Sequence, residues 1–191
     1  STASRATIGG MVGNNSCGSN SIVYGATRDH LVSARGFLSD GSEATFGPLT
    51  REAFAAECAG PDTLETKLYR TVRDLLGDAE NRQLIRGHFP RRGVVRRNTG
   101  YALDALLDNA VFDPGSDAPF NLCRLIAGSE GTLFLGVEFE LSCDPLPPPG
   151  ALMCAHFASV TDALRATLLA LRHRPAAVEL IDRPILACAR G

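Results

Sequence analysis

The sequence predicts an α+β chain, and three stretches carry that expectation. Residues 63–76 place Leu64, Leu68, Val72, Leu75 and Leu76 at helical spacing. Residues 133–142 alternate Leu133, Leu135, Val137, Phe139 and Leu141 with Phe134, Gly136, Glu138, Glu140 and Ser142, the period of a strand. Residues 29–46 hold two short segments joined around Asp40-Gly41, a hairpin signal. The 191 residues are 45% hydrophobic, enough to bury the core of one larger domain, or of one domain and part of another. A net charge of −2 argues against a general nucleic-acid binder. No apolar run reaches the roughly 18 residues of a membrane span, and nothing at the start reads as a signal peptide.

In chain order, residues 6–30 come first, and they fit neither period. They hold Gly9, Gly10, Gly13, Gly18 and Gly25 among Asn14, Asn15, Ser16, Ser19, Asn20 and Ser21. Each glycine costs a regular element roughly 0.5–1 kcal/mol, and in return allows close backbone approach and positive φ. Such a run is expected to be a cradle for a flat or phosphorylated ligand, or a plain surface loop. After the hairpin, Gly47-Pro48 closes the strand pair. Residues 50–58 read as a short helix with Thr50 as N-cap and Ala53, Phe54 and Ala56 apolar. The helix over 63–76 should stop at Gly77 as its C-cap, and a polar helical segment covers 81–88.

Arg86, His88, Arg91, Arg92, Arg96 and Arg97 then make a basic connector, either a solvated face or a contact for an anion or another domain. Residues 99–107 read as a short helix carrying Tyr101, Leu103, Leu106 and Leu107, and residues 113–119 as a loop. Residues 121–127 are apolar and lead into Gly128-Ser129-Glu130-Gly131-Thr132 and the strand. One face of that strand, from Leu133 to Leu141, should be core, with Glu138 and Glu140 outward. The proline-rich residues 144–150 are a stiff connector and the best boundary. Beyond it come a strand over 151–157, a helix begun by Ser159 and Asp162 with the stripe Val160, Ala163, Leu164, Leu168 and Leu171, a stop at Pro175, and a strand over 176–181. A β-α-β unit of that size has too little core to stand alone, so it reads as the beginning of a second domain leaning on the first. The expected division is 1–143, a linker at 144–150, and 151–191.

The six cysteines, Cys17, Cys58, Cys123, Cys143, Cys154 and Cys188, are far apart and form no C-x-x-C pair. Reduced thiols of a cytoplasmic protein are expected, with no metal site in this chain. His30, His88, His156 and His173 form no paired constellation, and no catalytic residue is assigned.

Three motifs occur in one order: A-T-I-G-G, N-N-S-C-G and Y-G-x-T-R-D-H between Ala6 and His30; R-x-x-G-Y-x-L-D from Arg97 to Asp104; and G-S-E-G-T-L from Gly128 to Leu133. Together they resemble the flavoproteins of the vanillyl-alcohol oxidase / p-cresol methylhydroxylase superfamily, over about residues 5–142. The N-N-S-C-G wording and the insert between residues 50 and 92 are most similar to FAD-linked D-2-hydroxy-acid dehydrogenases. The large bacterial D-2-hydroxyglutarate / D-lactate type, often fused to an iron–sulfur domain, is the nearest in wording.

The resemblance implies that this chain is most of the second FAD-binding subdomain, an antiparallel sheet flanked by helices, followed by the partial start of a substrate-capping domain. It implies backbone contacts to FAD from Ile8, Gly9, Gly10, Gly13 and Gly18, and contacts from Asn14, Asn15, Ser16 and Cys17, with Tyr24 and Gly25 on the same wall. Gly128, Ser129, Glu130, Gly131 and Thr132 would meet or support the adenosine end. Two departures are Phe134, where relatives carry a small residue, and Ala102 in place of the Asn of G-Y-N-L-D. The first is read as reshaping the adenine end, and the second removes a polar contact near the flavin.

A separate pyrophosphate loop is expected to precede Ser1, so the chain reads as a fragment that is itself apo and inactive. The full-length protein is expected to oxidise a D-2-hydroxy acid by hydride transfer to FAD. Its partners would be that small acid and an electron acceptor, with an iron–sulfur cluster in a fused domain outside this chain. The alternatives are a flavin-dependent reductase of the same superfamily and a non-catalytic interaction module.

Overall fold

The computed structural model describes residues 4–91, 93, 94, 97, 98 and 100–189. The chain divides into two units: the first runs through Cys17 and resumes from Ala26 to Cys143, and the second holds Gly18–Gly25 and the chain from Asp144 on. The elements in order are α1 (Ile8–Asn14), α2 (Ser21–Tyr24), α3 (Thr27–His30), β1 (Leu31–Phe37), β2 (Glu43–Phe46), β3 (Pro48–Leu49), α4 (Arg51–Ala59), α5 (Leu64–Gly77) and α6 (Ala79–His88). A 3₁₀ turn (Leu103–Leu106), β4 (Phe120–Asn121), α7 (Cys123–Ile126), β5 (Leu135–Leu141), α8 (Val160–Ala170), a second 3₁₀ turn (Leu171–His173) and α9 (Arg183–Cys188) complete them.

In the first unit β1 is central in an antiparallel sheet of order β2-β1-β5, and β3 pairs β4 in a two-stranded ribbon. Helices pack around this small sheet, so the unit is α+β as expected. The hairpin forms where Asp-Gly predicts it: Phe37 pairs Glu43, and Gly41 takes φ +82°. Asp40 secures the turn, accepting from the Ser42 N–H at 2.9 Å and hydroxyl at 2.6 Å. These bonds hold the Asp40 carboxyl below its ordinary pKa, the hydroxyl bond being the larger cause. Thr50 caps α4 by accepting from the Ala53 N–H, as its position predicts.

α5 runs one residue further than expected. Gly77 is its last helical residue, and Asp78 serves both as its C-cap and as the N-cap of α6. The expected helix over 99–107 is only the 3₁₀ turn, and Thr99 lies outside the described residues, as do Arg92 and Arg96 of the basic connector.

β5 departs from simple alternation. Its register against β1 jumps from Arg35↔Glu138 to Gly36↔Gly136, leaving Val137 as a bulge. An extra residue reverses which side chains face inward. Phe134 before the bulge is therefore buried, as are in part Phe139 and Leu141 after it, while Leu135 is 67% exposed and Leu133 and Val137 are also exposed. The expectation of one core face from Leu133 to Leu141 is corrected accordingly. Glu138 and Glu140 do face outward, bonded to Arg35 and Ser33 at 2.8 and 2.9 Å.

The core lies between the sheet and α4, α5 and α7, and it is aromatic. Phe120 is wholly buried, with its ring centroid 4.6 Å from Phe54, 6.1 Å from Phe112 and 6.4 Å from Tyr69. Phe46 continues the cluster to Phe134 at 5.4 Å, an edge-on contact. Phe134, the departure at the end of G-S-E-G-T-L, is thus a core residue. Burial raises the Tyr69 hydroxyl well above its ordinary pKa and pushes the Cys123 thiol up to about 12, so neither ionises near neutrality.

The second unit carries α2, α8, the second 3₁₀ turn and α9. Ser159 caps α8, accepting from the Asp162 N–H at 3.1 Å, as the sequence predicts. Arg174 then turns left-handed, just ahead of Pro175. The strands expected over 151–157 and 176–181 are absent among the described residues of this unit. A strand exists only by pairing, and among the described residues of this unit neither segment has a partner strand. Of the expected α8 stripe only Ala163 is buried; Val160, Leu164, Leu168 and Leu171 are exposed.

Candidate flavin-facing site

The glycine-rich stretch opens as a helix. Thr7 takes the N-cap position and its hydroxyl accepts from the Gly10 N–H at 3.2 Å. α1 buries only Val12, and Ile8, Gly9 and Gly10 are exposed. The helix ends at Asn15, which is left-handed at φ 51° and returns its N–H to the Met11 and Val12 carbonyls. Asn tolerates that conformation better than most residues, and here its side chain is also used. Asn15 is fully buried, and its Oδ1 accepts from the Arg28 N–H at 2.8 Å. Composition suggested a loop or cradle; Thr7 and Asn15 instead bracket seven helical residues with three glycines.

The second glycine-rich segment comes back against the end of this helix. The Gly128 N–H donates to the Val12 carbonyl at 3.0 Å and the Glu130 N–H to the Gly13 carbonyl at 2.9 Å. The Asn14 side chain donates to Glu130 Oε1 at 3.3 Å. A Cβ on Gly13 would stand 3.6 Å from the Glu130 Cα, so the two backbones approach closely. Gly128, Glu130 and Gly131 all have positive φ, which folds the segment into a tight loop. Thr132 closes it, its hydroxyl donating to the Ser129 carbonyl at 2.6 Å and lying 2.5 Å from the Tyr101 hydroxyl. Two motifs 115 residues apart, at Gly13 and Gly128, thus become one surface, with Tyr101 of the third motif beside it.

Arg28 lies beneath that surface and is 6% exposed. Its Nε donates to the Arg124 carbonyl at 2.8 Å, and its Nη2 to the carbonyls of Gly100 at 2.9 Å and Ala127 at 2.5 Å. Burial lowers its pKa from the ordinary arginine value, and the charges of Asp104 and Asp29 act against that shift. A polar cleft of about 330 Å³ opens beside it, lined among others by Asn15, Asp29, Arg97, Asn109 and Arg124. Arg97 and Asp104, the first and last residues of R-x-x-G-Y-x-L-D, are bonded to each other.

The residues expected at the site fall into three groups. Ile8, Gly9, Gly10, Asn14, Glu130, Gly131 and Thr132 are exposed in the first unit, with Gly13 close by and half-buried. Asn15, Gly128 and Ser129 are buried and hold the surface from within. Ser16 and Cys17 are half-buried, and the Ser16 carbonyl accepts from the Thr27 N–H and hydroxyl at 3.1 and 2.9 Å. Gly18, Tyr24 and Gly25 belong to the second unit; there the Gly18 N–H donates to the Ser21 hydroxyl at 2.9 Å, and Gly25 takes φ 72°.

Sequence reasoning assigned no role to Arg28, although it stands inside the quoted Y-G-x-T-R-D-H run. The partners of its guanidinium are 72 to 99 residues away, and only the fold brings them together. Among the described residues no cluster of His, Cys, Asp and Glu could hold a metal ion, and no helix is long and apolar enough to cross a membrane. All six cysteines are free thiols.

Comparison with known proteins bears on the same segment. Residues 1–47, which carry α1 and the hairpin, match the FAD binding domain. The chain is 32% identical over 189 residues to the D-2-hydroxyglutarate dehydrogenase of Pseudomonas putida strain KT2440, covering 99% of this chain. It is 34% identical over 191 residues to the enzyme of that name from Escherichia coli K12 and 33% over 190 residues to that of Pantoea ananatis, each alignment covering the whole chain. It spans 18% of the length of these relatives. No solved structure matches it significantly. The chain is therefore similar, along its whole length, to one segment of the D-2-hydroxyglutarate dehydrogenases, and it opens with a match to the FAD binding domain.

Proposed function

We propose that the chain supplies part of the flavin wall of an oxidoreductase that oxidises a D-2-hydroxy acid, with D-2-hydroxyglutarate the substrate its relatives' names suggest. The observation that carries this is the joining of α1 to the Gly128–Thr132 loop by the Val12–Gly128 and Gly13–Glu130 bonds, inside and beyond the segment that matches the FAD binding domain. FAD held there would supply the hydride acceptor for oxidation at the substrate α-carbon.

What this chain's residues do is bind and orient. Gly9 and Gly10, in the first turn of α1, present backbone without side chains, which lets a flat or phosphorylated group approach. A methyl on Gly9 would meet only Phe139, at 3.7 Å, so the protein itself would accept alanine there, whereas a Cβ on Gly10 would stand 2.9 Å from the Thr7 hydroxyl oxygen that caps the helix. Glu130, Gly131 and Thr132, all exposed, are assigned to the adenosine end, and the first two take positive φ. No residue of this chain is assigned as proton acceptor or metal ligand.

Residues 1–143 are assigned to the flavin domain, 144–150 to a linker, and 151–191 to the start of a substrate-capping domain; the change of unit between Cys143 and Asp144 supports that boundary, while Gly18–Gly25 fall in the second unit. An electron acceptor belongs to this reading, and an iron–sulfur cluster in a fused domain outside this chain would serve as one. A cytoplasmic setting is part of the proposal. The test is turnover of the full-length protein with a dye acceptor. D-2-hydroxyglutarate or D-lactate should reduce the dye in a FAD-dependent manner. Failure with every D-2-hydroxy acid in a flavin-loaded preparation would refute the reading.

A further inference from the structure

We infer that Arg28 is the positioning residue of this wall: its guanidinium and its backbone N–H together hold α1, the Gly100 turn and the Gly128–Thr132 loop in one arrangement. The inference rests on reading that surface as the place where FAD binds.

A buried cation is costly unless its donors are satisfied, and Arg28 meets that cost with main-chain oxygens. One side chain reaches three of them, on Arg124, Gly100 and Ala127. Gly100 lies within one motif that the sequence singles out and Ala127 directly before another, while Arg124 stands on α7. The planar fork of arginine makes this possible; a lysine ammonium at the same position is a single point on a flexible stem and cannot serve three acceptors in that fixed geometry. The backbone of the same residue is tied the other way, its N–H donating to the Asn15 side chain at the left-handed end of α1.

Gly128 gives an independent sign of the same design. A Cβ there would stand 2.7 Å from Arg28 Nη2 and 3.1 Å from the Gly100 carbonyl oxygen, at a φ of +92°. This first glycine of G-S-E-G-T is buried, so it leaves room for the guanidinium; the glycine open to a ligand is Gly131. Arg124 braces the arrangement, donating to the Arg28 carbonyl at 3.2 Å and to Asp29 at 3.3 Å. Arg28 therefore acts on the exposed residues through Asn15 and Gly128, without contact of its own.

The experiment compares wild type, Arg28→Lys and Gly128→Ala in the full-length protein. It reads FAD affinity by flavin fluorescence, the visible circular dichroism of bound flavin, and amide hydrogen exchange of the apoprotein. Both variants should weaken FAD binding roughly 10- to 100-fold, the scale on which supporting partners of a bound metal are felt. The flavin that remains bound should show an altered visible dichroism, which a loss of stability alone would not produce. Exchange should rise together in residues 13–16 and 127–132 while the β1–β2 hairpin keeps its protection. If Arg28→Lys does not fold, Gly128→Ala, which keeps every donor but crowds the guanidinium and the Gly100 carbonyl oxygen at a left-handed φ, decides the matter by the same readouts. A folded variant with wild-type affinity, dichroism and exchange would overturn the inference. If wild type itself takes up no FAD, the flavin reading falls instead, a result distinct from variants that match a flavin-binding parent.

Discussion

Gly36→Ala will separate β1 from β5 and destabilise the first unit by more than about 3 kcal/mol, beyond the usual range for overpacking. The reason is geometric. A Cβ at Gly36 would stand 2.2 Å from the Leu135 carbonyl oxygen, 2.8 Å from the Phe134 ring and 2.9 Å from the Gly136 Cα. Two of those atoms are backbone, so no rotamer change relieves the contact. Gly136 cannot move aside either, because its own missing Cβ is the space where the Phe139 ring lies. Gly77→Ala is the control. Gly77 ends α5 with open space around it and no positive φ, so alanine there should stabilise by up to roughly 0.5–1 kcal/mol. Urea unfolding of the two variants should move in opposite directions. A Gly36→Ala protein within about 1 kcal/mol of wild type would mean that the strand crossing is not as close as described.

Phe120→Ala should cost about 3–5 kcal/mol, the range for emptying a buried aromatic site. Phe120 is fully buried, sits on the β3–β4 ribbon and touches rings from α4, α5 and the loop before it. The side chains around it belong to separate elements braced by other contacts, so collapse into the gap should be limited. Phe120→Leu, which keeps much of the volume, should recover a large part of the loss. A loss for alanine under about 1.5 kcal/mol would show that the aromatic cluster is not the centre of the core.

Much of the first unit was legible in the sequence because its signals are local. Asp40-Gly41 fixes a two-strand turn within a few residues, and Thr50 announces a helix three residues before the N–H it accepts from. The β5 bulge was not legible. Periodicity assumes an unbroken ladder, and nothing in L-F-L-G-V-E-F says that Val137 will stand outside it. α1 was hidden for the opposite reason: glycine lowers helix propensity, so a run containing three of them reads as loop until its capping bonds are seen. The strands expected at 151–157 and 176–181 failed because pairing is a property of two segments and the pattern describes only one.

The site was legible as a set of motifs but not as a surface. The exposed residues Gly9, Gly10 and Glu130 to Thr132 came from the resemblance. The division of labour between them and the buried Asn15, Arg28 and Gly128 came only from the fold, since a hydrogen bond to a carbonyl 99 residues away leaves no trace in spacing.

The claim that the exposed face of α1 is a flavin wall is tested most directly by Gly9→Ala in the full-length protein, reading FAD affinity and apoprotein stability together. In the absence of ligand the alanine methyl meets only Phe139 at ordinary contact distance, so helix propensity should make the apoprotein equal to or more stable than wild type. FAD affinity should fall at least about 10-fold, because an inserted methyl in a close contact costs roughly 1–3 kcal/mol and each 1.4 kcal/mol is a factor of ten. A folded variant with wild-type FAD affinity would contradict the account, since it would show that no ligand approaches the backbone at Gly9.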